Sequence, residues 1–293
     1  MEIADEVRND TSAAPAADRG ARVQSGSYLL ELSLDWIVLR ASENIHHLLS
    51  ESHVTLIGEP LGRFVHAQAL HDLRNLFSRL SGTTGIARAY FVRLTDEFEH
   101  VDIAFQLVDG RVLLEAVPSA GSFGECFGTI GGLIAGLADN RGHALLDGGA
   151  RRMRALTGYD RVTLLCGSER AESSRGALSA AAAPSENLPT IVCDTEAEAV
   201  AVFPRESDEA SAAGALLVAC GAEGLEQLRR EGVRSCLRVP FKIDEISGEF
   251  RCDSRTPRAP NFELHAAAEL FAQLFAMRLE IDQLRNHKAD RGE

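Results

Sequence analysis

NFELHAAAELFAQLFAMRLEIDQLRNH, Asn261 to His287, reads as one long helix. Asn261 after Pro260 supplies an N-cap, because its side-chain oxygen can accept a first-turn N–H that lacks a helical partner. Glu263 sits in the first turn, where the helix dipole favours an anion. Ala267, Leu270, Leu274, Met277, Ile281 and Leu284 follow at intervals of 3, 4, 3, 4 and 3 residues, the spacing of an a/d seam between helices. Leu264, Phe271 and Phe275 fall on a neighbouring face. On this reading one face packs against the helix's own sheet while the seam meets a partner helix. The other reading is a single wide stripe facing the core, and fewer than three heptads leave both open.

Upstream of that helix, Ser235 to Ile243 and Gly248 to Cys252 read as strands. A helix from Ala222 to Glu231 is stopped by Gly232, a residue type suited to the position after a helix end. Thr190 to Cys193, Leu216 to Ala219 and Val162 to Leu165 are strand pieces, and His143 to Leu156 is the first helix of this unit. Ala171 to Glu186 (AESSRGALSAAAAPSE) is of low complexity and reads as a flexible loop. Gly121 to Leu137 is a connecting helix in spite of its glycines.

An earlier unit opens with SYLLELS (Ser27 to Ser33) and WIVLRA (Trp36 to Ala41), a hairpin around Leu34 and Asp35. Short helical pieces follow around Asn44 to Leu49, then His66 to Leu80 with Leu70, Leu73, Phe77 and Leu80 at helical spacing. Ala87 to Leu94, Val101 to Val108 and Val112 to Val117 are β-rich, with Asp109-Gly110 as the tight turn. The expected organisation is a flexible leader over 1–24, a first domain over 25–120 and a connecting helix over 121–142. A second domain over 143–286 and a tail over 287–293 complete it.

Composition narrows the function. The chain has 293 residues, 45% hydrophobic and 25% charged, with a mean hydropathy of -0.07, as expected of a globular chain. Thirty basic against 43 acidic side chains give a net charge of -13, which repels phosphate backbones and argues against nucleic acid as a partner. The apolar run Ala212 to Cys220 is too short to span a bilayer, and the acidic start has no positive region of a signal peptide. No membrane contact and a cytoplasmic location are expected. Cys126, Cys166, Cys193, Cys220, Cys236 and Cys252 show no C-x-x-C pair, so they read as buried free thiols.

Two strands, small helices and then three strands is the order of a PAS domain. The second unit resembles the GAF domain of a bacterial phytochrome. RALTGYDRV (Arg154 to Val162) is similar to the opening of that domain, and IVCDTEAEAVAVFP (Ile191 to Pro204) to the segment that begins its lasso loop. LEQLRREGVRS (Leu225 to Ser235) resembles the helix and strand lining the bilin pocket, and PRAPNFELHAAAELFAQLFAMRLE (Pro257 to Glu280) the closing helix. From about residue 25 to 285 the chain thus resembles a reduced PAS-GAF half of a phytochrome photosensory module. The resemblance implies an α+β fold of two domains, PAS followed by GAF. Antiparallel sheets with packed helices and a long C-terminal helix belong to it.

The same resemblance implies a bilin pocket, but the pocket residues do not carry over. In bacterial phytochromes the attachment cysteine precedes the PAS domain, and residues 1 to 34 contain none. No Asp-Ile-Pro occurs between Arg161 and Glu186; the pocket histidine falls at Gly224, and the family's Cys-His-His falls at Cys252, Asp253 and Ser254. The family also threads its N-terminal segment through the lasso loop as a knot. A short loop and a leader without an apolar anchor argue against threading here, since ordering chain costs entropy that little burial offsets.

Other candidate sites are weaker. His46, His47 and His53 with Glu43 and Glu51 suggest metal ligands, but adjacent histidines on a helix point to different faces. Cys220 or Cys236 as a nucleophile needs a paired histidine, and His265, alone between Ala144 and Asn286, is expected on the helix surface. The glycines of 121–134 fit neither phosphate-loop spacing and are better explained by helix packing at a subunit contact. Glu206 to Glu209 reads as a solvated loop. No catalytic, cofactor or metal residue is assigned, and an enzyme is not expected. The expected function is a phytochrome-related PAS-GAF regulator without covalent bilin. No output domain is expected after Glu293, so it is expected to signal as a homodimer or as a heterodimer with a phytochrome or signalling kinase. The alternative is a sensor holding a bilin or another small ligand non-covalently.

Overall fold

Asp109 and Gly110 take φ of 48° and 75°, the left-handed pair that a two-residue hairpin turn needs. The strands they join, Val101–Val108 and Arg111–Pro118, pair antiparallel from Val101↔Pro118 to Val108↔Arg111. This hairpin is the centre of the first of two antiparallel sheets in a computed structural model. The structure describes residues 21–79, 85–96, 100–121, 124–176, 178, 188–205 and 214–291.

In chain order the first sheet begins with β1 (Arg22–Gln24), β2 (Tyr28–Leu32) and β3 (Val38–Ser42). Three helices follow, α1 (His46–Leu49), α2 (His53–Leu56) and α3 (Ala67–Ser78), and then β4 (Ala87–Val92), β5 (Val101–Val108) and β6 (Arg111–Pro118). Trp36, Ile45, Leu56, Leu73, Phe105 and Leu114 form the core between these helices and the sheet.

The second unit contains α4 (Glu125–Ala135), α5 (Gly142–Thr157), β7 (Arg161–Cys166), β8 (Glu169–Ser174), β9 (Ile191–Val192) and β10 (Ala199–Phe203). It continues with α6 (Ala222–Arg230), β11 (Ser235–Ile243), β12 (Ile246–Ser254) and α7 (Phe262–Arg291). Its sheet runs β8-β7-β12-β11-β9, whereas β10 leaves it and joins the first sheet, whose order is β1-β10-β3-β2-β6-β5-β4. The second unit thereby contributes one strand to the first.

Helices α5 and α7 cover one face of the second sheet, and α4 packs on them. Phe241, Phe250, Phe271 and Phe275 interlock there, with the Phe250 and Phe275 rings 5.2 Å apart at 70°, an edge-to-face arrangement. Close approach needs missing side chains: a Cβ on Gly149 of α5 would lie 2.4 Å from the Phe275 ring. Asn261 caps α7 as expected, its Oδ1 accepting from Leu264 N at 2.9 Å. Glu263 acts elsewhere: its carboxylate accepts from Gly124 N at 2.9 Å and Cys126 N at 3.4 Å, at the start of α4.

Part of the expected Ala171–Glu186 loop is strand. β8 pairs with β7 from Arg161↔Ser174 to Cys166↔Glu169. It is an edge strand with Ala171 as its buried residue, so its sequence shows no apolar alternation. Residues 177 and 179–187 of that stretch, and 206–209, lie outside the described residues.

Candidate functional site

The segments that resemble a bilin pocket meet on the other face of the second sheet, beneath α6. Side chains alternate along a strand, so Phe250 and Cys252 of β12 enter the helix-side core while Arg251 and Asp253 point the opposite way. Arg161 of β7 joins them. Its Nη2 donates to Asp253 Oδ2 at 2.7 Å, Arg251 Nε donates to Asp253 Oδ1 at 2.9 Å, and Arg251 Nη2 donates to Glu231. Arg161 also lies 3.9 Å from Glu231.

Two cations and two anions are thus packed together, each under 7% exposed. Burial opposes the charge on Arg251, but Asp253, Cys236 and Glu231 outweigh it and raise its pKa. The positions at which the resemblance places pocket histidines are Gly224, buried in α6, and Asp253 with the buried Ser254. A cavity of about 30 Å³ is bordered by Gln24, Cys193 and Cys220. In the first unit an open groove of about 600 Å³ runs between α3 and β4 beside Leu73, Leu76 and Phe91.

The N-terminal segment is held against this region, contrary to the sequence expectation. β1 lies between two limbs of one excursion of the second unit. On one side Val23 pairs with Val200 of β10. On the other it bridges Val218, with Gln24 N donating to Leu217 O and Ala219 N to Arg22 O, both at 2.9 Å. Val23, 1% exposed beside Leu29, Leu113 and Val202, is the apolar anchor that the leader was expected to lack. Residues 21–24 are therefore ordered parts of the fold, while 1–20 lie outside the described residues.

The Gln24 amide completes the hold: Nε2 donates to Ile191 O at 2.5 Å and Val218 O at 3.1 Å, and Oε1 accepts from Cys193 N at 2.7 Å. Glu115 of β6 fixes the far limb, accepting from Leu216 N and Leu217 N at 2.8 Å each. Burial lifts its pKa to about 7 against those two N–H groups. Gln24 and Glu115 carried no sequence signal, because their partners lie at least 100 positions away.

The proposed seam divides. Ala267 is fully buried in its own core and Leu274 is partly buried against it, whereas Leu270, Met277, Ile281 and Leu284 are 40% to 54% exposed. Cβ atoms on Gly128, Gly131 and Gly132 of α4 would meet nothing within 4 Å.

His265 is not on the surface. It is 2% exposed, with Nδ1 accepting from Arg88 Nη2 at 2.9 Å. Its pKa is lowered to about 3 by burial and by Arg88. The His46 and His47 rings lie 3.9 Å apart, not on separate faces, and His53 stacks on Phe203 at 4.6 Å. Among the described residues no three metal-ligating side chains gather. None of the six cysteines is paired in a disulfide; Cys193, Cys236 and Cys252 are buried and the other three half-buried. Burial raises the Cys220 thiol to about 11 and Cys236 well above its ordinary value, the reverse of an activated nucleophile. No helix among the described residues is long and apolar enough to cross a membrane.

No family model and no curated protein matches the chain. Solved structures do. The chromophore-binding domain of an unusual bacteriophytochrome from R. palustris aligns with TM-score 0.74 at 19% identity, covering 90% of this chain and 96% of that one. That of Stigmatella aurantiaca phytochrome P1 gives 0.69 at 23%, covering 88% and 95%. The photosensory core module of a Stigmatella aurantiaca phytochrome gives 0.71 at 21%, covering 89% of this chain and 58% of that one. At such identities the likeness establishes architecture: the chain has the α+β, PAS-then-GAF fold of a bacteriophytochrome chromophore-binding domain.

Proposed function

We propose that the chain is a phytochrome-related PAS-GAF regulatory module that takes no covalent bilin, catalyses no reaction and acts in the cytoplasm by contact with another chain. That partner is a second copy, or a phytochrome or signalling kinase. The observation that carries this reading is the Arg161–Asp253–Arg251–Glu231 network on the face formed by the pocket-like segments. The cavity of about 30 Å³ beside Gln24, Cys193 and Cys220 contrasts with the roughly 300–1,000 Å³ of ordinary ligand pockets. Burying four charges also requires that they stay paired, which a large planar ligand inserted among them would prevent. The exposed row Leu270, Met277, Ile281 and Leu284 supports α7 as the contact surface.

The test is an absorption spectrum of the full chain mixed with biliverdin, followed by a denaturing gel stained for zinc-dependent bilin fluorescence. An unchanged spectrum and a dark gel are expected. A sharpened, red-shifted band with a dark gel would make the chain a non-covalent bilin sensor. A fluorescent gel band would reveal a covalent linkage and overturn the reading outright.

A further inference from the structure

A second cavity, of about 210 Å³, lies on the helix-bearing side of the second sheet, where α7 begins. Its apolar wall includes Ile191, Leu237 and Leu264. Its polar wall includes Tyr159, Asn261, His265 and Arg258, and among the described residues no carboxylate lines it. Tyr159 and His265 are 6% and 2% exposed.

The hydrogen bonds fix what these groups offer. His265 Nδ1 accepts from Arg88, so the ring proton resides on Nε2. The nearest acid, Glu269, is 3.6 Å from Nε2, beyond a good hydrogen bond. The low pKa keeps that ring neutral at physiological pH. Asn261 spends Oδ1 on its cap, which leaves the amide N–H₂ to donate. The Arg258 guanidinium bonds the carbonyls of Thr157 and Gly158 and lies 4.2 Å over the Tyr159 ring, meeting no carboxylate among the described residues. A buried histidine N–H, a phenol and an amide thus face a small apolar chamber beside an unneutralised cation.

We propose that this cavity is a binding site for a small aromatic carboxylate, its anion taken by Tyr159, Asn261 and His265 and its ring by Ile191, Leu237 and Leu264. Size agrees, since a dry engineered cavity of about 150 Å³ holds benzene and this one is about 210 Å³. An anion seated against these groups can accept from several donors at once through charge-assisted bonds. Arg88 belongs to β4 and pairs with Glu269 of α7 at 2.7 Å, so a ligand on His265 touches the link between the two units. The site does not depend on the dimer or on the absence of bilin.

The test uses the full chain with sodium benzoate and indole-3-carboxylate, titrated by isothermal calorimetry and by amide NMR. Saturable binding of one of them is expected with a Kd at or below about 1 mM, with toluene bound at least tenfold more weakly. Tyr159→Phe keeps the shape and removes one donor; about a tenfold loss of affinity is expected. Leu264→Trp fills a half-buried wall and should abolish binding with the circular dichroism spectrum retained. Should neither carboxylate saturate the protein below about 10 mM, or should toluene bind as well as they do, the donors serve ordered water and the proposal fails.

Discussion

Glu115 is buried at the middle of β6, yet both its oxygens are used. Burial raises its pKa from 4.5 to about 7, opposed by the Leu217 and Leu216 N–H groups and by Arg88. A carboxyl that is harder to ionise when folded binds its proton more tightly in the native state. Its contribution to stability is therefore full below the unfolded pKa and is lost as pH rises through about 7. At about 1.4 kcal/mol per unit, the shift is worth on the order of 3 kcal/mol. Glu115→Gln abolishes the titration. In urea unfolding, the stability of the native chain relative to this variant is expected to fall by about 2–3 kcal/mol between about pH 5 and pH 8; a constant difference would mean that the carboxyl titrates normally. Gln24 works without charge. Its replacement by alanine strands the Ile191 carbonyl and the Cys193 N–H, at a cost of about 1–3 kcal/mol. Faster tryptic cleavage after Arg22 should accompany the loss, and an unchanged rate would show that the amide does not hold β1 in place.

At the scale of elements, β7, β12 and the end of α6 are joined through one carboxylate. Asp253 serves both Arg161 and Arg251, so Asp253→Ala leaves two buried guanidiniums facing each other with Glu231 as their remaining acid. A loss of about 3–5 kcal/mol is expected in chemical denaturation, and a loss below about 1 kcal/mol would mean that water already screens the network. Asp253 was visible in the sequence as a departure from the family's histidine, but its partners were not. Pairing Arg251 with Thr163 and Asp253 with Arg161 depends on the β12–β7 register, which one chain without its neighbour does not specify. The β5–β6 hairpin was legible because Asp109-Gly110 dictates its turn and both strands are rich in apolar residues. β8 was not, because ERAESS buries a single alanine. Ala199–Phe203 is apolar enough to suggest a strand, but nothing in it says that it pairs with β3 of the other unit. His265 was misplaced for a related reason: Arg88, which turns it inward, is 177 positions away.

Taken over the whole molecule, α7 extends for 30 residues, about 45 Å at 1.5 Å each, and its burial ends near Leu279 and Asp282. Asp282 ties that point to the start of α5 by accepting from Gly142 N at 2.9 Å. Met277, Ile281 and Leu284 project from the anchored part and its continuation, each about half exposed. Surface substitutions there should change folding stability by no more than about 0.5 kcal/mol, whereas a charge in the middle of a helical seam removes apolar contact and adds like-charge repulsion. Met277→Glu with Ile281→Glu is expected to convert a dimer into a monomer by light scattering, with the thermal midpoint nearly unchanged. Each copy carries a net charge of -13, so association of two copies works against their mutual repulsion. Raising salt from about 0.05 M to about 0.5 M shortens the screening length severalfold and should tighten the proposed dimer. A dimer held instead by surface ion pairs would weaken over the same range, and a native chain monomeric at both salts would leave the heterodimer with a phytochrome or kinase as the surviving form of the proposal.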